Sequence, residues 1–261
     1  MSQLEFNEKL SEQLEAAYAK RDLLRRRAIV HEALGARPGE RILDAGCGPG
    51  FYVSETLERV GPEGAVVGVD ASPQMLGLAA KRSEGRPNVS FHEGDVAALP
   101  VEDAGFDRAL SVQVLEYVAD IPAALAELHR ALRPGGRLMI WDVDWATLSW
   151  HSADPDRMDR VMRAWDAHLS NPSLPRTLSA QLRSAGFDDV EMEGHSFATD
   201  AVTSETYAGA LLQLMEEYVA RREEIGADEA AAWVAEQREL VERSESFFAR
   251  IQFCFTATRP G

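Results

Sequence analysis

From Arg41 to Trp145 the chain repeats one pattern: a short run of aliphatic and β-branched residues, a turn, then a segment with helical spacing. The runs RILDAG, AVVGVD, NVSFHEGD, FDRALSVQV and RLMIWDVDW are too continuously apolar for strands with one face in water. Such strands, alternating with helices, predict a parallel sheet covered on both faces. The helices carry their own start and stop signals. Ser72 and Pro73 offer an N-cap and a first-turn proline, and Asp120 precedes a stripe of Ile121, Leu125, Leu128 and Leu132 that Pro134, Gly135 and Gly136 terminate. Further on, Asp154 and Pro155 open a helix with Met158, Val161, Met162, Trp165 and Leu169 on one face, followed by the turn-rich NPSLP and a short helix ending at Gly186. VEMEGHSF and the strictly alternating IQFCFTA bring the strands to seven.

Two segments stand outside this repeat. Residues 1–36 read as helical, with Leu4, Leu10, Leu14, Tyr18, Leu23, Leu24, Ile29, Val30 and Leu34 near helical spacing. Residues 203–246 form a long acidic helical excursion between the last two strands, carrying Tyr207, Leu211, Met215, Tyr218, Trp233, Val234 and Leu240. The expected organisation is an N-terminal helical cap (1–36), a core (37–202), a helical insertion acting as a lid (203–246) and a final core strand (247–261).

A formal charge of −16 repels phosphate backbones over most of the surface, so nucleic acid is not an expected partner. Cys47 and Cys254 lie far apart with no metal-type spacing, which predicts neither a disulfide framework nor a metal site and fits a reducing cytoplasm. The acidic start lacks the features of a signal peptide, and no 18-residue apolar run predicts a membrane span.

The stretch RILDAGCGPG ends a strand in an acid and then places glycine at every second position. A strand that ends in a glycine turn lets a ligand lie against bare backbone. The dinucleotide fingerprint G-x-G-x-x-G/A fails, since Phe51 stands where it needs Gly or Ala, and the phosphate-loop motif G-x-x-x-x-G-K-[ST] is absent. What remains is D-x-G-x-G-x-G. With ILDAGCGPG, VVGVDASPQML, FHEGDVAALP, FDRALSVQVLEYVAD and LRPGGRLMI in this order, the chain resembles the class I S-adenosylmethionine-dependent methyltransferases over most of residues 38–200 and the final strand. Its wording is similar to the small-molecule enzymes of the ubiquinone/menaquinone-biosynthesis type.

The resemblance implies a doubly wound, mostly parallel seven-stranded α/β sheet with an antiparallel last strand, in the Rossmann-like methyltransferase fold. It also implies S-adenosylmethionine as cofactor and S-adenosylhomocysteine as product. By the same resemblance Gly46, Gly48 and Gly50, with Cys47 as a small filler among them, would cradle the methionyl part. Asp44 would anchor that loop and help to hold the ammonium. Asp70 would accept the ribose hydroxyls, Ala71 and Met75 would flank the adenine, Asp95 and the Val96 amide would address its edge, and the Gln113 carbonyl would lie near the ammonium. The expected activity is methyl transfer to a small organic acceptor by a monomer or homodimer. A binding protein of regulatory or assembly type, without transferase activity, is the rival.

Methyl transfer from a sulfonium needs alignment and water exclusion more than a universal catalytic group, and a base matters only for an acceptor that must lose a proton. Ligands of open α/β sheets lie beyond the carboxyl ends of the strands. That directs attention to Glu116 and Tyr117 after the fourth strand, and to Asp142, Asp144, Trp145 and His151 at the fifth. His151 is a candidate general base, a substrate contact, or a loop residue without a role. Tyr117 stands where relatives often carry histidine and could orient an acceptor. Asp142, Asp144, Trp145 and Tyr18 are candidate substrate contacts. Trp141, Trp145 and Trp150 would form an aromatic cage for an organic cation, an apolar wall for a hydrophobic acceptor, or simply packing between strand and helix. His92, His129, His168 and His195 read as structural.

Overall fold

The computed structural model describes residues 15–17, 20 and 23–261. Tyr18 and the residues of the N-terminal cap before Glu15 lie outside this set. The described elements begin with α1 (Leu23–Leu34), β1 (Arg41–Ala45), α2 (Phe51–Val60), β2 (Ala65–Asp70), α3 (Pro73–Arg82), β3 (Val89–Glu93) and β4 (Phe106–Val112). A single 3-10 turn, Leu115–Tyr117, leads to α4 (Ile121–Ala131), β5 (Leu132–Trp150), α5 (Pro155–Asp166), α6 (Pro175–Ser184) and β6 (Asp188–Thr199). The remaining elements are α7 (Tyr207–Val219), α8 (Gly226–Glu242) and β7 (Phe248–Thr258).

The strands form one sheet in the order β3-β2-β1-β4-β5-β7-β6. The pairs from β3 through β5 are parallel, and β7 runs antiparallel between β5 and β6. This is the doubly wound, mostly parallel α/β sheet expected, reversing direction on either side of β1 and β4. At that reversal the two strand ends diverge and leave a crevice for a ligand.

The caps form as the sequence suggested. Ser72 Oγ accepts from the Met75 N–H at 3.3 Å, the Asp120 carboxylate from the Ala123 N–H at 3.0 Å, and the Asp154 carboxylate from the Arg157 N–H at 3.0 Å. Each helix has a proline in its first turn, where the missing N–H costs nothing.

One face of the sheet packs α4 and α6 through Leu125, Leu128, Leu178 and Leu182, and the other packs α1 and α2 through Val30, Leu34, Val53 and Leu57. A third cluster has a different origin. β5, β7 and β6 continue past the ends of the other strands, with Trp150 paired to Phe248 and Phe248 to Thr199. On this projection α5, α7 and α8 pack together through Met158, Trp165, Leu211, Met215 and Trp233. β5 therefore does not end near Trp145 as its apolar run suggests; its pairing with β7 lapses over residues 145–148 and resumes at Ser149 and Trp150. No helix among the described residues is long and apolar enough to cross a membrane.

Candidate active site

A cavity of about 660 Å³ opens at the carboxyl ends of β1, β2 and β4. One lobe is built from peptide. The Gly46 and Cys47 N–H groups both donate to the Val69 carbonyl, at 2.7 and 2.9 Å, which folds the loop after β1 back over β2. Gly46 (φ 83°) and Gly50 (φ 78°) take left-handed conformations and are also sterically obligatory. A Cβ on Gly46 would sit 2.2 Å from Val114 Cγ2, and one on Gly50 would sit 2.8 Å from the Ala79 backbone. Gly48 (φ 51°) differs: a Cβ there would meet nothing within 4 Å, so its bare peptide faces the open lobe.

Asp70, at the end of β2, accepts from the Gly48 N–H at 2.8 Å and from the Ser72 N–H at 2.9 Å. Each oxygen keeps a lone pair for a hydroxyl on the cavity side. Burial pushes its carboxyl up, and the two peptide N–H groups pull it back. Beneath the loop Asp44 is 1% exposed with Oδ2 lacking any hydrogen-bond partner among the described residues. Its carboxyl is pushed up to about 8, first by burial and then by the charge of Asp70. A buried acid oxygen without a donor, under a glycine cradle, suits a cationic group.

Met75 is buried and lines the lobe with Ala71, and Asp95 and Val96 close its far side. Asp95 Oδ1 accepts from the Ala97 N–H at 2.8 Å, and this turn leaves the carboxylate exposed at the rim. Cys47 packs toward Gly68, and burial keeps its thiol protonated, which agrees with a filler. Nine of the sequence-selected cofactor residues line the cavity: Gly46, Cys47, Gly48, Asp70, Ala71, Met75, Asp95, Val96 and Gln113. Asp44 and Gly50 support it from behind.

The second lobe is aromatic and apolar, lined by Tyr117, Val118, Trp145, Trp165, Tyr207, Leu211 and Leu214. Its floor holds charge. Trp145 Nε1 donates to Glu116 Oε2 at 2.7 Å, and Glu116, fully buried, also hydrogen-bonds Asp142 and Tyr117. Both acids are pushed up, chiefly by burial, with each carboxyl acting on the other. Glu116 Oε1 and Asp142 Oδ2 have no other donor, which one proton shared between the two carboxyls satisfies. Arg250 on β7, 1% exposed, supplies the compensating positive charge. Its Nη1 donates to the Tyr207 hydroxyl at 2.8 Å, and its guanidinium lies 4.2 Å from the Tyr207 ring centre. The NPSLP turn fixes the same floor, since the Ser170 and Asn171 N–H groups donate to the Glu116 carbonyl at 3.0 and 2.9 Å.

Several sequence-selected residues lie elsewhere. His151 is exposed and does not line the cavity; the continuation of β5 to Trp150 carries it away, and its peptide bonds to Phe247 and Gln237. Asp142 and Asp144 lie under the surface and do not line the cavity, because Asp142 turns to Glu116 while Asp144 accepts from Ser173 at 2.9 Å and Arg176 at 2.7 Å. Of the tryptophan trio only Trp145 reaches the cavity. Trp141 stacks on His195 at 5.0 Å, and Trp150 packs on Phe248 at 4.6 Å, so no aromatic cage forms from the three. Trp165 takes the place beside Trp145, with ring centres 5.9 Å apart.

His168, read from the sequence as structural, packs behind the aromatic lobe and does not line the cavity. It is buried among Tyr117, Trp145, Trp165 and Tyr218, its Nδ1–H donating to the Trp165 carbonyl and its Nε2 without a partner among the described residues. Burial pushes it down to about 4, so the ring is neutral. Among the described residues no cluster of His, Cys, Asp or Glu is suited to a metal ion.

Residues 36–196 match the family described as "Methyltransferase domain". Among curated proteins, the chain is 40% identical over 62% of its length to an uncharacterized 37.1 kDa protein from a transposon of Streptomyces fradiae, covering 47% of that protein. It is 41% identical over 41% of its length to a 2-phytyl-1,4-naphtoquinone methyltransferase of Nostoc sp., covering 48% of it. The matched part thus spans about half the length of these relatives. Among solved structures, phosphoethanolamine N-methyltransferase 2 of Haemonchus contortus, in complex with S-adenosyl-L-methionine, superposes with a TM-score of 0.66 at 18% identity. That alignment covers 99% of this chain and 58% of the other, and shows a shared fold.

Proposed function

The chain belongs to the methyltransferase-domain family, and from that premise we propose that it transfers a methyl group from S-adenosylmethionine to a small organic acceptor. The observation that carries this reading is the peptide-walled lobe, in which Gly48 faces open space, Asp70 rims the opening and Asp44 keeps an unpartnered oxygen beneath. These groups fit the cofactor. Asp44 would hold its ammonium with the Gln113 carbonyl, the Gly46–Gly50 loop its methionyl chain, and Asp70 its ribose hydroxyls. Ala71 and Met75 would flank the adenine, with Asp95 and the Val96 N–H at its edge. When bound, the cofactor supplies an electrophilic methyl on a sulfonium and leaves as S-adenosylhomocysteine.

The remaining work falls to the aromatic lobe. Holding two reactants in line contributes on the order of 7 to 11 kcal/mol. Trp145, Trp165, Tyr207, Leu211 and Leu214 would clamp a flat apolar acceptor and keep water out. Tyr117 would orient the acceptor through its hydroxyl, with the Glu116–Asp142 pair behind it able to take up a proton. α7 and α8 would act as the lid. The negative charge of the chain supports a metabolite acceptor over a nucleic acid, and a cytoplasmic setting suits it.

The test is calorimetric and catalytic. S-adenosylhomocysteine should bind the purified chain and NADH should not, and labelled S-adenosylmethionine should pass its methyl group to a member of a panel of aromatic alcohols and amines. Failure to bind S-adenosylhomocysteine would overturn the reading. Binding with no transfer to any acceptor would favour the regulatory alternative.

A further inference from the structure

Helix α1 precedes the residues that match the family, yet it reaches the cavity wall. Arg26, on α1, is 4% exposed and points between two cavity-lining residues from different elements. Its Nε donates to the Tyr52 hydroxyl at 3.1 Å, and its Nη1 donates to Gln113 Oε1. The neighbouring Arg27 and His31 both bind Glu55 on α2, at 2.9 and 2.7 Å, so α1 is fastened along the helix that the glycine loop opens into.

Gln113 is an unusual residue to fasten. Its φ is 55°, a left-handed conformation that disfavours any side chain with a Cβ. Among the described residues four non-glycines share this trait, and Gln113 is the one that lines the cavity. The conformation turns the chain sharply as β4 ends: the Gln113 N–H still donates to the Trp141 carbonyl at 2.7 Å, while Val114 packs against Gly46 of the glycine loop. The hydrogen bonds of the following turn run from Tyr117 N–H to the Val114 carbonyl and from Val118 N–H to the Leu115 carbonyl, leaving the Gln113 carbonyl outside them. Strained backbone persists where surrounding contacts over-determine it, and the side-chain amide in the grip of Arg26 is such a contact.

We propose that Arg26 is a positioning residue of the cofactor site: by holding the Gln113 side chain it keeps the Gln113 peptide left-handed, so that its carbonyl and the Val114–Gly46 contact present the glycine cradle to the methionyl end of S-adenosylmethionine. The inference rests on the cofactor assignment above. It also makes α1, outside the family-matched segment, a working part of the binding site.

Glycine adopts the left-handed conformation unaided. The full chain, R26M, Q113G and the double variant R26M/Q113G are therefore titrated with S-adenosylhomocysteine by calorimetry, with thermal melts of each protein alone. R26M keeps the aliphatic stem and removes the bridge. It should weaken binding about tenfold or more in the Gln113 background, and in the Q113G background it should add almost nothing to the loss that Q113G itself brings. An equal loss from R26M in both backgrounds would overturn the proposal, since it would mean that Arg26 acts by packing or by its charge alone. Should R26M melt below the titration temperature, all four proteins are titrated below its melting point under the same criterion. Absence of binding by the original chain would overturn the cofactor assignment and this proposal together, whereas binding with additive losses would overturn this proposal alone.

Discussion

Replacing Asp44 with Asn separates what this acid does for the cofactor from what it does to the fold. Asp44 titrates near 3.8 in an unfolded chain and is pushed up to about 8 in the folded one. Between those values the folded protein holds a proton that the unfolded chain has released, so stability falls as pH rises, by about 1.4 kcal/mol per pH unit for this group. From pH 4.5 to 7.5 the loss is about 4 kcal/mol on that slope. Asn carries no proton to exchange. The Asp44→Asn variant should therefore lack this decline, and its urea-derived stability should gain on the original by about 1.4 kcal/mol for each pH unit across this window. The buried amide, short of an acceptor, shifts the whole curve down by about 1 to 3 kcal/mol without changing its slope. Binding moves the other way: loss of a charge-assisted hydrogen bond of about 1.5 to 3 kcal/mol should weaken S-adenosylhomocysteine by roughly 10- to 150-fold. Parallel stability curves from pH 4.5 to 7.5, or an unchanged affinity, would refute the reasoning.

The glycines of the loop divide in the same manner. Gly46→Ala drives a Cβ into Val114 and should lower the melting temperature sharply, whereas Gly48→Ala, facing open space, should cost about 1 kcal/mol in stability but most of the cofactor affinity. His168 is pushed down to about 4, so its contribution is intact above pH 6.5 and lost as pH falls toward 4, by about 1.4 kcal/mol per unit. His168→Phe should melt with a flatter acid limb in that window, and an unchanged limb would contradict the assignment. Trp145→Phe leaves Glu116 without its indole donor and should destabilise by about 1 to 3 kcal/mol in urea titrations.

How much of this was legible in the sequence depends on distance along the chain. β1 and β2 announce themselves through Ile42, Leu43 and Val66–Val67, and the caps through Ser72, Asp120 and Asp154, because strand propensity and capping are local. The peptide-walled lobe is legible for the same reason: it consists of peptide at strand ends, and glycines with an acid at each end mark it. The aromatic lobe is not, because every important meeting in it is long-range. Glu116 finds Asp142 only when β4 and β5 are in register, and Arg250 arrives from the last strand. His151 looked well placed because the apolar run of β5 fades after Trp145; pairing with β7 carries the strand on through the polar-looking TLSW, which no local pattern reveals. His168 sits in an irregular stretch between α5 and α6, and its surroundings come from four separate segments.

The projection of β5, β7 and β6 beyond the rest of the sheet has a mechanical consequence. A roof hung from loops alone is held at single points, but this one is rooted in strands: β5 and β7 pair through Asp144 and Ile251, part over residues 145–148, and pair again at Ser149–Ala249 and Trp150–Phe248. Trp145 stands in the unpaired stretch between these two blocks, its N–H donating to the Pro172 carbonyl at 2.9 Å, so the indole on the floor is held by the turn before α6 as well as by its strand. Chamber dimensions in such a design change by exchanging side chains on α5 and α7, while the paired blocks of β5 and β7 on either side of Trp145 stay as they are.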